Sequence, residues 1–150
     1  MVVPIIRVAE AKDTPAILEL EAHYMAELEP QNFERWKASE AVHRKRVEAV
    51  LLRTFVADMS EEVVGFCYWG LHKDSAHIFN MYVHPDFRRY GLAKCLLQRV
   101  EEDIQRKGFS RWTFDPINTK SAKVFIEQLG YKLLWEDTDR IHMFKEQVTA

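Results

Sequence analysis

The run Tyr82-Val83-His84-Pro85-Asp86-Phe87-Arg88-Arg89-Tyr90-Gly91-Leu92-Ala93 joins an apolar strand-like end, a proline turn, two arginines and a glycine to the start of a helical pattern. That order suits a pyrophosphate-like anion. The first N–H groups of a helix have no intrahelical acceptor and carry partial positive charge, so an anion docks there if the backbone is approachable. Gly91 and the small Ala93 permit the approach, while Arg88, Arg89 and Lys94 add charge. Alone, Arg-x-x-Gly-x-Ala is also how many basic amphipathic helices begin. A second unit of the same kind raises its weight: Asn118, Ser121, Ala122 and Phe125 precede Leu129-Gly130-Tyr131. His77 is the candidate proton acceptor, because a neutral imidazole with a pKa near ~6.5 can take a proton from an ammonium directly or through water. Period-two alternation places it on one face with Phe79, Met81 and Val83. The alternative is that His77 follows a turn and caps a strand.

The elements that must hold these residues read as follows. Ile5 to Ala9 opens as a strand, and Asp13-Thr14-Pro15 starts a helix that carries Ile17, Leu18, His23 and Leu28. A second helix, broken near Ser39, holds Phe33, Trp36, Val42, Val47, Val50 and Leu51. Phe55 to Met59 and Val63 to Trp69 form a hairpin about Ser60-Glu61-Glu62. A third strand, Ala76 to Val83, stops at His84-Pro85, because proline cannot donate to a ladder and pushes the residue before it toward an extended conformation. Leu92, Ala93, Leu96, Leu97, Val100 and Ile104 then make a helical stripe closed by Lys107-Gly108. Trp112 to Phe114 is a strand, Ser121 to Leu129 a helix, and Tyr131 to Trp135 with Ile141 to Phe144 a final strand pair about Asp137-Thr138-Asp139. The order predicts a single α+β domain over residues 1–150, with a mixed, mostly antiparallel central sheet flanked by helices.

Taken together, the two loop–helix units resemble the GNAT superfamily of acyl-CoA-dependent N-acetyltransferases, over a span from Ile5 to about Phe144. The best matches are Tyr82-Val83-His84-Pro85 and Arg88-Arg89-Tyr90-Gly91-Leu92-Ala93. The resemblance implies the acyl-CoA N-acyltransferase fold, acetyl-CoA as cosubstrate, and transfer of an acetyl group to an amine by direct attack. It implies that the loop from Arg88 to Ala93 binds the pyrophosphate of coenzyme A. It further implies that the strand ending at Val83 splays from its neighbour, so that main-chain groups at Tyr82 and Val83 hold the pantetheine. Asn118 then corresponds to an asparagine near the pantetheine arm, and Phe125 to a side chain lining the cofactor. Several members place a glutamate or histidine base where His77 and Phe79 stand. Many carry a tyrosine four residues before the glycine of Leu-Gly-aromatic, at the departing thiolate, but that position is Ile126. Tyr82, Tyr90, Tyr131 or a water could substitute, or the thiolate leaves unprotonated; Tyr131 reads better as core.

In the resembling fold the segment from Tyr24 to Glu40 covers the acceptor site. Its Tyr24, Glu27, Glu29 and Trp36 would suit a cationic amine through ion pairing and cation–π contact, against the plainer reading of solvated acids and core aromatics. The acceptor is expected to be a small-molecule amine or an exposed amino group. The alternative is a non-catalytic acyl-CoA-binding or sensing module. A homodimer through the late strands is allowed, with Trp135 and Phe144 either serving there or packing inside.

Composition excludes other classes. Lys plus Arg total 21 against 23 Asp plus Glu, a net charge of −2, so no global field holds a nucleic acid. Arg44-Lys45-Arg46 reads as a solvated helix face. Cys67 and Cys95 make no disulfide framework, and the six histidines show no His-x-x-x-His pair, so no metal is expected. No apolar run nears the ~18 residues of a membrane span, and Met1 to Ile6 lacks a signal-peptide pattern. A cytoplasmic location is expected, with neither nucleic acid nor membrane as partner. P-loop, Gly-x-Ser-x-Gly and Gly-x-Gly-x-x-Gly patterns are all missing from the 150 residues.

Overall fold

The β-branched and aromatic texture that begins at Thr54 folds, in the computed structural model, into the centre of a seven-stranded sheet. The structure describes residues 3–147, so Met1 and Val2 of the segment read for a targeting signal lie outside the described residues. The strands are β1 (Ile5–Val8), β2 (Thr54–Met59), β3 (Glu62–His72), β4 (Ser75–Val83), β5 (Arg111–Phe114), β6 (Lys132–Glu136) and β7 (Ile141–Glu146). Their spatial order is β1-β2-β3-β4-β5-β7-β6. Every neighbouring pair is antiparallel except β4 and β5. That parallel pair needs a crossover, which the long helix after Gly91 supplies.

The helices are α1 (Thr14–Leu28), α2 (Phe33–Lys37), α3 (Glu40–Ala49), α4 (Leu92–Arg106) and α5 (Lys120–Gln128). On α4, Leu92, Leu96, Leu97, Val100 and Ile104 recur at helical spacing and are all buried, packed with Cys67, Trp69, Ala76 and Ile78 on one sheet face. Each such side chain contributes ~2 kcal/mol by leaving water. The opposite face packs Val56, Phe66 and Tyr82 against Ile17, Leu20, Tyr24 and Val47 of α1 and α3. The hairpin turns Ser60–Glu61 and Lys73–Asp74 hold positive φ at both central residues, the geometry that matches strand twist.

Three expectations change. The break expected near Ser39 is present and parts α2 from α3 at Ala38–Ser39, but Val42 of the expected apolar series faces solvent while Val47 is buried. Arg46 is not part of a solvated face: it reaches back to Glu21 of α1 at 2.8 Å. The third change bears on the chemistry. Tyr68 pairs with Asn80 but Trp69 pairs with Ile78, which leaves Phe79 as a bulged extra residue. Side-chain phase therefore flips in mid-strand. Ala76, Ile78, Met81 and Val83 pack on the α4 side, whereas Tyr82 packs with α1. Phe79 stacks on Tyr68 of that α1-side cluster, ring centroids 5.8 Å apart, and His77 meets Phe79 edge-on at 4.8 Å. His77 therefore shares its face with Phe79 and Tyr82, and not, as uninterrupted alternation required, with Met81 and Val83.

Candidate active site

β4 and β5 pair only at Ala76–Trp112, His77–Thr113 and Ile78–Phe114. Beyond these rungs they part. The bulge at Phe79 bends β4 one way, and Asp115-Pro116 ends β5, since proline offers no N–H to extend a ladder. The gap is a cleft of about 160 Å³ lined by Phe79, Asn80 and Met81 on the β4 side and by Phe114, Asp115 and Ile117 on the other. Ala122, Phe125 and Ile126 of α5 floor it, and Tyr24, Leu28 and Arg140 close its α1 side. Along the unpaired edge the Met81 N–H donates to the Asn80 amide oxygen at 2.9 Å. A side chain serves that donor in place of a neighbouring strand.

From Val83 the chain enters a 3-10 turn, Pro85–Tyr90, started by the Asp86 N–H donating to His84 Nδ1. Gly91 then adopts φ 72° and ψ 18°, the left-handed conformation that L side chains disfavour, and serves as N-cap of α4. The first helical bond is Cys95 N–H to Gly91 C=O, so the N–H groups of Leu92, Ala93 and Lys94 have no acceptor within the helix. Arg89, Tyr90 and Lys94 are exposed beside them, and the Leu92 side chain is core, leaving only its backbone for a ligand.

Arg88 does something the sequence did not disclose. Its Nε donates to the Val83 carbonyl at 3.1 Å, and its two terminal nitrogens bind both oxygens of Glu27 at 2.9 and 2.6 Å. The guanidinium also lies over the Tyr82 ring, whose hydroxyl donates to Glu27 at 2.7 Å. Arg88 is thus a clasp between loop and α1. Its hydrogen bonds hold the Glu27 carboxyl below the usual glutamate range. Burial first, and Glu27 second, push the Tyr82 phenol up.

Asn118 lies near the cleft but its amide donates to the Asp137 carbonyl and to Glu136, fastening the β6–β7 hairpin. Ile117 and Thr119 line the cleft on either side of it. Thr119 caps α5 by accepting from the Ala122 N–H, and Ser121 sits next to that cap on the outer surface. Of the second motif, Ala122 and Phe125 reach the cleft. Ile126 is fully buried beneath it, and Tyr131 is core, donating to Glu101 and accepting from Trp112.

His77 is largely buried. Its Nδ1 lies 2.6 Å from the Thr113 hydroxyl and its Nε2 3.9 Å from Asp115, which also approaches His142 at 3.2 Å. Burial lowers the His77 pKa below 6.5 and Asp115 partly opposes it, so the ring is neutral at pH 7. Asp115 stands between this imidazole and the cleft. Sequence reading passed over both Asp115 and Arg140. The turn dipeptide Asp115-Pro116 was the available signal for the first; Arg140, in the β6–β7 turn, offered none.

A second pocket adjoins the cleft and shares Tyr24, Phe79, Asn80 and Arg140 with it, adding Glu21, Glu29, Trp36, His43, Arg46 and Tyr68. Three of the residues expected around an acceptor, Tyr24, Glu29 and Trp36, converge here. Glu27 does not. The carboxylates are also not free: Glu29 pairs with Arg140 at 3.1 Å, Glu21 with Arg46, and Glu27 with Arg88. Each acid expected to suit a cationic amine is already paired with an arginine from a distant segment. Trp36 stacks on His43 at 4.6 Å and forms part of the wall. Trp135 stacks on His142 at 3.6 Å yet keeps 54% of its surface exposed.

Among the described residues no helix is long and apolar enough to cross a membrane. The model of the acetyltransferase (GNAT) domain matches residues 51–133, more than half of the chain and all of the cleft from β4 to α5. The [ribosomal protein bS18]-alanine N-acetyltransferase of Escherichia coli is 26% identical over 78 residues, which are 51% of this chain and 53% of that protein. The match spans about half the length of that curated relative. Among solved structures, the Thermoplasma acidophilum PaiA N-acetyltransferase in complex with coenzyme A superposes with a TM-score of 0.82 at 17% identity, covering 96% of this chain and 99% of its own. The Salmonella typhimurium yncA structure, a putative acetyltransferase with acetyl-CoA, gives a TM-score of 0.75 at 17% identity, covering 99% and 96%. These superpositions establish the fold, and the domain match establishes the lineage: the chain belongs to the GNAT acetyltransferase family.

Proposed function

We propose that the protein is an acetyl-CoA-dependent N-acetyltransferase acting in the cytoplasm on a primary amine, of a small molecule or an exposed protein amino group. The observation that carries this reading is the parting of β4 and β5 after three rungs, directly ahead of a left-handed Gly91 and the open N-terminus of α4. The loop N–H groups from Leu92 to Lys94, with Arg89 and Lys94, would take the pyrophosphate. The free edge of β4 from Asn80 to Val83 would hold the pantetheine amides as an added strand does, and Phe125 would pack on the arm. Arg88 acts indirectly, by fixing the loop to α1. The thioester would then lie near Met81, whose N–H would have to exchange the Asn80 amide oxygen for the oxyanion as the amine attacks. The neutral His77, with Asp115 between it and the cleft, takes the amine proton through water.

The test is release of free coenzyme A from acetyl-CoA only when an amine is present. Loss of the His77 base should cost about 10²–10⁴-fold in rate. His77→Ala should therefore lower kcat without changing acetyl-CoA affinity. A second reading, a non-catalytic acyl-CoA-binding module, is favoured by the buried Ile126 at the position to which the family resemblance gives a tyrosine. Tight acetyl-CoA binding without turnover on any amine, peptide or aminoglycoside would select it.

A further inference from the structure

The leaving group of the proposed reaction is a thiolate, and the position to which the family resemblance gives a thiolate-facing tyrosine holds the buried Ile126. Among the described residues lining the cleft, Tyr24, Asp115 and Arg140 are the titratable groups. Asp115 faces two imidazoles and is an acceptor. Arg140 is committed to the Asp115 carbonyl at 3.2 Å and to Glu29. Tyr24 remains. Its ring is packed edge-on against Tyr82 at 6.0 Å, which fixes the phenol from α1 across the mouth of the cleft. Its oxygen lies 3.5 Å from Arg140 Nη1, the same nitrogen that donates to the end of β5.

We propose that Tyr24 is the hydrogen-bond donor to the departing sulfur, entering the cleft from the helix opposite Ile126. The inference rests on the acetyltransferase reading. In the step, the amine nitrogen forms the new C–N bond, the C–S bond breaks, and its electron pair stays on sulfur. The amine proton leaves toward Asp115 and His77. Tyr24 keeps its own proton and shares it with the thiolate, which is protonated later by water. The surroundings support a retained proton: burial raises the phenol to about 12, Arg140 opposes, and the Glu29 carboxylate beside the hydroxyl adds to the rise, so that the departing thiolate takes the phenol hydrogen in place of Glu29. Arg140 adjoins the phenol oxygen and serves as a positioning residue.

The deciding measurement needs no acceptor. Coenzyme A is bound to the protein and its thiol is titrated by ultraviolet absorbance of the thiolate, for wild type and for Tyr24→Phe, which keeps the ring and its packing. A donated hydrogen bond favours the thiolate, so the bound thiol should titrate about one unit or more higher in the variant. With an amine substrate in hand, kcat should fall roughly tenfold to a hundredfold at unchanged acetyl-CoA affinity, the loss of one bond to a charged atom. Identical thiol titration in the two proteins, with coenzyme A bound to both, would overturn the role of Tyr24 and leave the acetyltransferase reading standing. Failure of wild type to bind coenzyme A would overturn both.

Discussion

Replacing Gly91 separates two demands that its backbone meets at once. The residue stands at φ 72°, and a Cβ built on it would meet nothing within 4 Å, so the protein itself leaves room for a side chain. Gly91→Ala therefore costs only the left-handed conformation, ~1–2 kcal/mol for an L-residue. At ~2–4 °C per kcal/mol for a domain of this size, the melting temperature should drop by ~2–8 °C. Asparagine tolerates that conformation far better, so Gly91→Asn should recover most of the loss. Cofactor binding should behave differently. If pyrophosphate sits on the N–H groups of Leu92 to Lys94, any side chain at position 91 crowds it, and both variants should bind acetyl-CoA at least about tenfold more weakly, or ~1.4 kcal/mol. Scanning calorimetry and isothermal titration of the same three proteins give the two readouts. An asparagine variant that binds acetyl-CoA as tightly as wild type would show that the pyrophosphate lies elsewhere.

Two further outcomes follow from the ion pairs. Asp115 opposes the burial that lowers the His77 pKa, so Asp115→Asn should lower it further and move the acidic limb of the kcat/KM profile to lower pH; a limb that stays in place would disconnect the two residues. For Glu27→Gln the sign is that of a carboxyl whose folded pKa is depressed: its stabilisation is full above the ordinary value of 4.5 and disappears as pH falls through the folded one. With both partners more than a third exposed, the clasp is worth about 1 kcal/mol. Urea unfolding of wild type and variant should differ by that much at pH 7 and converge once the pH has fallen below the depressed Glu27 pKa, and a difference that persists in acid would assign it to packing instead.

The parts of this molecule that are local in sequence were legible there. The α4 stripe, the proline stop of β4 and the glycine before the helix each follow from a few adjacent residues, so element order and the anion-binding loop could be read directly. The splay of β4 was legible only through likeness to a family, because pairing partners lie far along the chain. What escaped was made by convergence. Glu27 and Glu29 look like free acids until Arg88 and Arg140 arrive, the second from 111 residues away. The bulge left no mark at all, since Ile78-Phe79-Asn80 reads as ordinary strand whether or not one residue is extra.

That extra residue sets what kinds of change the strand tolerates. Substituting Phe79 alters one stacking contact with Tyr68 and one with His77. Removing it would close the ladder into continuous register and leave all other side chains on their present faces, because Asn80 alone would then separate Ile78 from Met81. Met81 and Val83 would keep their seats against α4 with Ala76 and Ile78 beside them, and His77 would stay on the α1 side, but β4 would lose the bend that carries it away from β5. Position 79 therefore sets the opening of the cleft rather than the seating of the core, and a single-codon deletion there should weaken acetyl-CoA binding far more than it lowers stability.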